Sequence, residues 1–120
     1  MDAQKVIKEL GEKYPGKMVL DNHGEIVCET EPAAGPGARG VAIAVVDRSI
    51  PHFHKKTVET YKVLKGALMV FKNNKSYKLQ EGDVLEIIPG EVHYATGNET
   101  WVEVASVPGW SPDDSFPAVA

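Results

Sequence analysis

The sequence predicts an all-β barrel preceded by one short helix, and three observations carry that expectation. Short runs rich in β-branched and aromatic residues follow one another from residue 18 to residue 107, separated by turn residues, a spacing that suits a barrel or sandwich. The run 40–46 is apolar at both parities, so a strand there must be covered on both faces. At 120 residues the chain makes one domain and should bury about two thirds of its unfolded surface, enough for a barrel core.

Taken in order, residues 2–13 place Val6, Ile7 and Leu10 at helical spacing, with Asp2 as N-cap and Gly11 and Pro15-Gly16 as stop signals. This helix is expected to pack on the barrel. Strands are expected at 18–22, 26–30, 40–47, 58–64, 67–72, 76–79, 84–88, 93–96 and 101–107. Asn73-Asn74 fits a two-residue type I′ turn, because asparagine tolerates positive φ. The Pro- and Gly-rich stretch 32–40 reads as a loop, since too little chain precedes it to form a separate core. The organisation expected is a helical extension over 1–16, a barrel over 17–107 and an arm over 108–120 whose aromatic residues Trp110 and Phe116 dock on a surface. One face of 40–46 lines the interior, while the other needs the helix, the arm or a second subunit, and a homodimer is therefore expected.

Composition narrows the function classes. A net charge of −4 and the lack of a basic stripe argue against nucleic acid as a partner. The longest wholly apolar run, 41–46, falls far short of the roughly 18 residues a membrane span requires, and acidic residues occupy the first turns in place of a signal-peptide core. No membrane partner and a cytoplasmic location are expected. The single cysteine, Cys28, cannot form an internal disulfide and reads as a small buried or edge-strand residue.

The chemistry is concentrated in two segments. His52 and His54 are two apart, so on a strand they share a face and converge, with Glu59 returning from the next strand and His93 arriving from a distant one. Three imidazoles and a carboxylate suit one divalent transition metal per chain (manganese, iron, nickel or zinc), with two positions left open in an octahedral site. Parity then selects the neighbours: if Glu59 points inward so do Tyr61 and Val63, and His93 brings Ala95 with it. Tyr61 is the candidate catalytic residue, and Tyr61, Val63, Ala95 and Lys55 are the candidate substrate contacts. Lys55 and Lys56 follow the second histidine, where they would steer an anionic substrate. Glu91 and Tyr94, flanking His93, should point away from the metal. His23 lies in Asn22-His23-Gly24, a turn signature, and is not counted as a ligand.

These segments resemble the two motifs of the cupin superfamily, G-x5-HxH-x4-E-x6-G and G-x5-PxG-xx-H-xxx-N. Here they read PHFHKKTVETYKVLKG and EGDVLEIIPGEVHYATGN, within a resemblance that spans 40–107. The metal positions are filled by His52, His54, Glu59 and His93, and Gly66, Gly82 and Gly90 also match. Three positions depart: Val46 stands for the opening glycine, Ile88 for the first proline of the second motif and Gly97 for its final asparagine. The resemblance implies a cupin-type double-stranded β-helix, or jelly-roll barrel, with a metal inside. It also implies a small-molecule ligand, but a fold that hosts many chemistries does not select the reaction. The leading expectation is a metal-dependent enzyme (an isomerase, lyase or dioxygenase) acting on a sugar derivative or an oxygenated acid. A non-catalytic binding or sensing module is the alternative.

Overall fold

The computed structural model describes residues 1–119 and shows the expected class, one helix followed by an antiparallel sheet that curls on itself. Helix α1 (Ala3–Lys13) starts where the Asp2 carboxylate accepts from the Lys5 N–H at 3.1 Å, satisfying one of the free donors of the first turn. Val6 and Leu10, four apart, form its buried stripe. Ile7, about 100° round the helix from Val6, stays exposed, so the apolar face is narrower than expected.

The strands are β1 (Val19–Asp21), β2 (Glu25–Glu31), β3 (Gly40–Arg48), β4 (His52–Phe53), β5 (Val58–Lys65), β6 (Leu68–Lys72), β7 (Lys75–Leu79), β8 (Val84–Ile87), β9 (His93–Val107) and β10 (Phe116–Pro117). The turn between β6 and β7 holds Asn73 and Asn74 at φ 50° and 64°, the positive values a type I′ turn needs. The segments expected as separate strands at 93–96 and 101–107 are one strand. Gly97 allows this: a Cβ there would lie 2.5 Å from Thr100 Oγ1 and 2.8 Å from the Val46 carbonyl oxygen. Backbone thus passes where a side chain has no room, and the turn-like residues bend the strand without ending it.

β9 is the hub. Its second half lies between β3 and β5, with Val102 opposite both Ala44 and Val63, and its first half pairs with β6. At its start His93 faces His52 of β4. Inside the barrel, Ala44 and Val46 pack with Tyr61, Val63, Val70, Ile87, Ala95 and Val102. On the outer face of β3, Ile43 and Val45 pack with Ile26, Cys28 and Trp101 beneath Val6 and Leu10. Helix α1 covers the outer face of β3 at Ile43 and Val45. Burying Leu10 there contributes about 1.5–3 kcal/mol.

The arm is more structured than expected. It forms a 3-10 turn at Pro112–Asp114 and then β10, which pairs with β4, so that Phe116 stacks on Phe53 at 5.4 Å. Ala120, the end of the expected arm, lies outside the described residues. Among the described residues, no helix is long and apolar enough to cross a membrane.

Candidate metal centre

Four side chains meet at one end of the barrel interior. His52 comes from β4, His54 from the loop just after it, Glu59 from β5 and His93 from the start of β9. One donor atom from each lies within 4.8 Å of the others. The orientation is set by backbone carbonyls. The Nδ1–H of His52 donates to Ile50 at 2.7 Å, that of His54 to Asp114 at 2.7 Å and that of His93 to Glu91 at 2.9 Å. A carbonyl can only accept, so Nδ1 carries the proton in all three rings and Nε2 is left for the centre. Histidine metal ligands are generally fixed in this way by a partner on the other nitrogen. The Nε2 atoms of His54 and His93 lie 3.0 and 3.2 Å from the same Glu59 oxygen. Three nitrogens and a carboxylate, each already oriented, are a donor set that fits a divalent transition metal.

The electrostatics follow from this crowding. Burial would raise the Glu59 carboxyl, but hydrogen bonds and charge from His54 and His93 outweigh it and hold the value at about 2. Burial would lower His54, yet the Glu59 hydrogen bond and charge, with the Asp114 carbonyl, raise it. His52 is lowered, first by burial and then by His93. In the metal-free chain the depressed Glu59 stabilises the fold fully above the unfolded carboxylate value of about 4.3, and that contribution is lost as pH falls through about 2. The raised His54 contributes below the unfolded histidine value of about 6.5, and this is lost as pH rises through its folded value.

A metal must displace the proton that His54 Nε2 shares with Glu59. Binding is therefore expected to release protons, with affinity falling as pH drops through a value above the ordinary histidine one of about 6.5. Titrations of metal affinity between about pH 8 and about pH 5 check this; an unchanged affinity would contradict ligation by three histidines.

A cavity of about 120 Å³ leads from this cluster to solvent. Tyr61 reaches it, with its ring centroid 6.2 Å from that of His93 and its hydroxyl pushed well above the ordinary tyrosine value, first by burial and then by the charge of Glu59. The expected alternation on β5 is present: Glu59, Tyr61 and Val63 are buried, while Lys62 is exposed. Val63 and Ala95, however, lie deeper, in the closed core, and do not line the cavity. They share the inward face of Glu59 and His93, but the barrel fills with Leu68, Val70 and Ile87 on that side. Lys55 is also elsewhere, its ammonium 4.4 Å over the Phe116 ring and not lining the cavity. Glu91 and Tyr94 do point away: Glu91 accepts from the Ile88 N–H and Asn73, and Tyr94 stacks on Phe71 at 4.6 Å. His23 occupies its turn at φ 54°.

Two residues that the spacing did not single out shape the site. Asp114, in the arm, accepts the backbone N–H groups of Lys55, Lys56 and Thr57 at 2.9–3.2 Å, while its own carbonyl holds His54. Burial would raise its carboxyl, but these backbone donors outweigh it and lower the value. The only hint in the sequence is a Ser111-Pro112-Asp113-Asp114 turn signature, with nothing to say what the turn would meet. Glu25, the first residue of β2, lines the cavity, where burial and then the charge of Glu59 raise its carboxyl to about 7. Its position is set by Gly24, at φ 123°, where a Cβ would sit 2.7 Å from the Arg48 carbonyl oxygen.

A family model described as "Cupin domain" matches residues 41–107, more than half of the chain. No curated protein matches it in sequence. Among solved structures, the chain is similar to Streptomyces PAC13, a nucleoside dehydratase, with a TM-score of 0.78 at 15% identity over 88% of this chain and 87% of that one. It is similar to KdgF from Halomonas sp., with a TM-score of 0.67 at 18% identity over 78% and 89% of the two chains. It is also similar to L-ribose isomerase of Cellulomonas parahominis, with a TM-score of 0.65 at 13% identity over 78% and 68%. At such identities the likeness is one of fold.

Proposed function

The chain belongs to the cupin domain family, and on that premise we propose that it is a metal-dependent enzyme acting on a small polar molecule. The observation that carries this reading is the convergence of three Nε2 atoms and the Glu59 carboxylate at the inner end of a cavity open to solvent. His52, His54, Glu59 and His93 would hold one divalent transition metal (manganese, iron, nickel or zinc), which when bound would polarise a carbonyl or enolate oxygen of the substrate. A sugar derivative or an oxygenated acid supplies such oxygens. The chain's own part is to bind and orient: Val27, Ala42, Ala44 and Val104 give the cavity apolar walls that displace water, and Tyr61 offers a hydroxyl beside the ligand cluster. The solved relatives named for a dehydratase and an isomerase are enzymes on this fold, which supports turnover over simple binding.

Metal analysis of freshly purified protein, followed by ligand screening with and without oxygen, tests the reading. About one metal per chain is expected. Oxygen-dependent turnover would select a dioxygenase, and ligand binding without turnover would select a binding module. Tyr61→Phe is expected to change ligand affinity or turnover about 10-fold while metal content stays the same, since the hydroxyl makes no protein contact that holds the metal. Lys62→Ala, on the exposed face of the same strand, should be nearly silent in both measurements.

A further inference from the structure

Among the described residues, the strands with a free side are β1, β7, β8 and β10. A free strand edge invites pairing with another chain, and proteins discourage it with lysines, prolines or a covering group. β7 carries Lys75 and Lys78, β10 contains Pro117, and the Glu86 carbonyl of β8 is taken by the Lys72 ammonium at 3.0 Å. β1, with Val19, Leu20 and Asp21, has none of these devices.

Hydrogen-bond alternation decides what this edge offers. The Asn22 N–H donates to the Glu25 carbonyl at 2.9 Å and the Glu29 N–H to the Met18 carbonyl at 3.2 Å, so Met18, Leu20 and Asn22 turn their backbone groups to β2. Val19 and Asp21 therefore turn theirs to the open side, where no other backbone group among the described residues meets them. The side chains sort with the same period of two. Met18 and Leu20 line the cavity mouth at 56% and 38% exposure, whereas Val19 packs with the cluster under helix α1. Lys17 and Asp21 share the parity of Val19, and neither has an ion-pair partner among the described residues. The Asp21 carboxylate accepts only the His23 N–H, at 3.0 Å.

The run Lys17-Met18-Val19-Leu20-Asp21 is complementary to itself when laid antiparallel about Val19. Val19 then faces Val19, Met18 faces Leu20 and Lys17 faces Asp21. We propose that the β1 edge is an interface between two copies of this chain, related by a two-fold axis at Val19, which joins their sheets and sets Met18 and Leu20 of the second copy beside the cavity mouth. The two Val19 N–H groups donate to each other's carbonyls, and each Asp21 N–H donates to the Lys17 carbonyl opposite. Met18 and Leu20 fall in the non-hydrogen-bonded pairs, where side chains approach most closely. Their contact supplies the apolar burial, and the lysine–aspartate pairs fix the register. Moving the axis to Leu20 would set Met18 against Asn22 and leave Lys17 without its acid. Moving it to Asp21 would set two aspartates face to face, which is unfavourable. The two-fold uses both open edges, so assembly stops at the dimer.

Sedimentation equilibrium of the full chain tests the interface, and a monomer–dimer equilibrium is expected. Asp21→Lys and Lys17→Asp each set like charges opposite one another on both sides of the axis, and each should weaken dimerisation about 10-fold. Combining Lys17→Asp with Asp21→Lys re-forms the pairs and should return affinity to within about 3-fold of the wild type. Cross-linking tests the register without altering charge. Met18 of one copy and Leu20 of the other lie about 4.5 Å apart at Cα in this pairing, within disulfide reach. An oxidised mixture of Met18→Cys chains with Leu20→Cys chains should therefore cross-link, while neither variant should do so alone; the natural Cys28 is buried. The proposal is overturned by a wild-type chain that stays monomeric at about 1 mM, by a dimer whose affinity both charge reversals leave unchanged, or by Leu20→Cys chains that cross-link among themselves as readily as the mixture does.

Discussion

Glu59→Ala is expected to abolish stoichiometric metal binding and with it any turnover, while the barrel stays folded. The carboxylate is the only anionic member of the cluster, and one of its oxygens lies within 3.0–3.2 Å of two imidazole nitrogens. Removing it leaves three neutral donors and no charge to offset a divalent ion, so affinity should fall by more than the roughly 10–100-fold that loss of an outer partner costs. The fold should survive, because freed of the carboxylate His54 can shed its extra proton, and the His54 and His93 rings each still donate through Nδ1 to a carbonyl. Equilibrium dialysis with metal analysis, alongside far-ultraviolet circular dichroism, measures both parts. Stoichiometric metal with unchanged affinity in the alanine variant would remove Glu59 from the site. The same measurement on His52→Ala, His54→Ala and His93→Ala should rank close behind.

Asp114→Ala should weaken metal binding about 10–100-fold although Asp114 is not a ligand. Its carboxylate collects three consecutive backbone N–H groups from the turn that leads from His54 to Glu59, and its carbonyl fixes the His54 ring. Without the carboxylate those donors turn to water, the turn loosens, and two ligands lose their relative placement. Asp114→Asn is the informative partner. An amide oxygen can still accept from some of these donors but carries no charge, so an intermediate loss is expected. A cobalt-substituted protein should show altered absorption bands in both variants, because ligand geometry changes even where metal remains. Alanine and asparagine variants with wild-type affinity and spectra would mean that the arm only covers the site. Deleting 111–119 should be at least as damaging, since β10 and the Phe116–Phe53 stack go with it.

Much of the site is legible in the sequence. The period of two on a strand is a covalent property of the extended chain, so His52 with His54, and Glu59 with Tyr61, are bound to share faces whatever surrounds them. The same local logic places the helix cap at Asp2 and the asparagine turn at 73–74. It fails where a residue's partner is far away along the chain. Asp114 meets residues 55–57 only because β10 returns to pair with β4, and no local pattern announces a two-residue strand. Parity assigns Val63 and Ala95 the correct face, but how far the cavity extends along that face depends on which other strands fill the barrel.

β2 shows most clearly what separates local from long-range information. Its alternation puts Ile26 and Cys28 on one face and Glu25, Val27 and Glu29 on the other, without saying which face is the interior. In the structure Ile26 and Cys28 face outward beneath helix α1, and Glu25, Val27 and Glu29 face the cavity. Fold class, the candidate residues of the His52, His54, Glu59 and His93 cluster and the grouping of side chains on common faces follow from the chain alone, because backbone geometry and donor chemistry act over a few residues. Which of two faces becomes the interior is settled only by packing. That choice depends on where the helix lands, and burying Ile26 and Cys28 under Val6 and Leu10 frees the opposite face to carry carboxylates into the cavity.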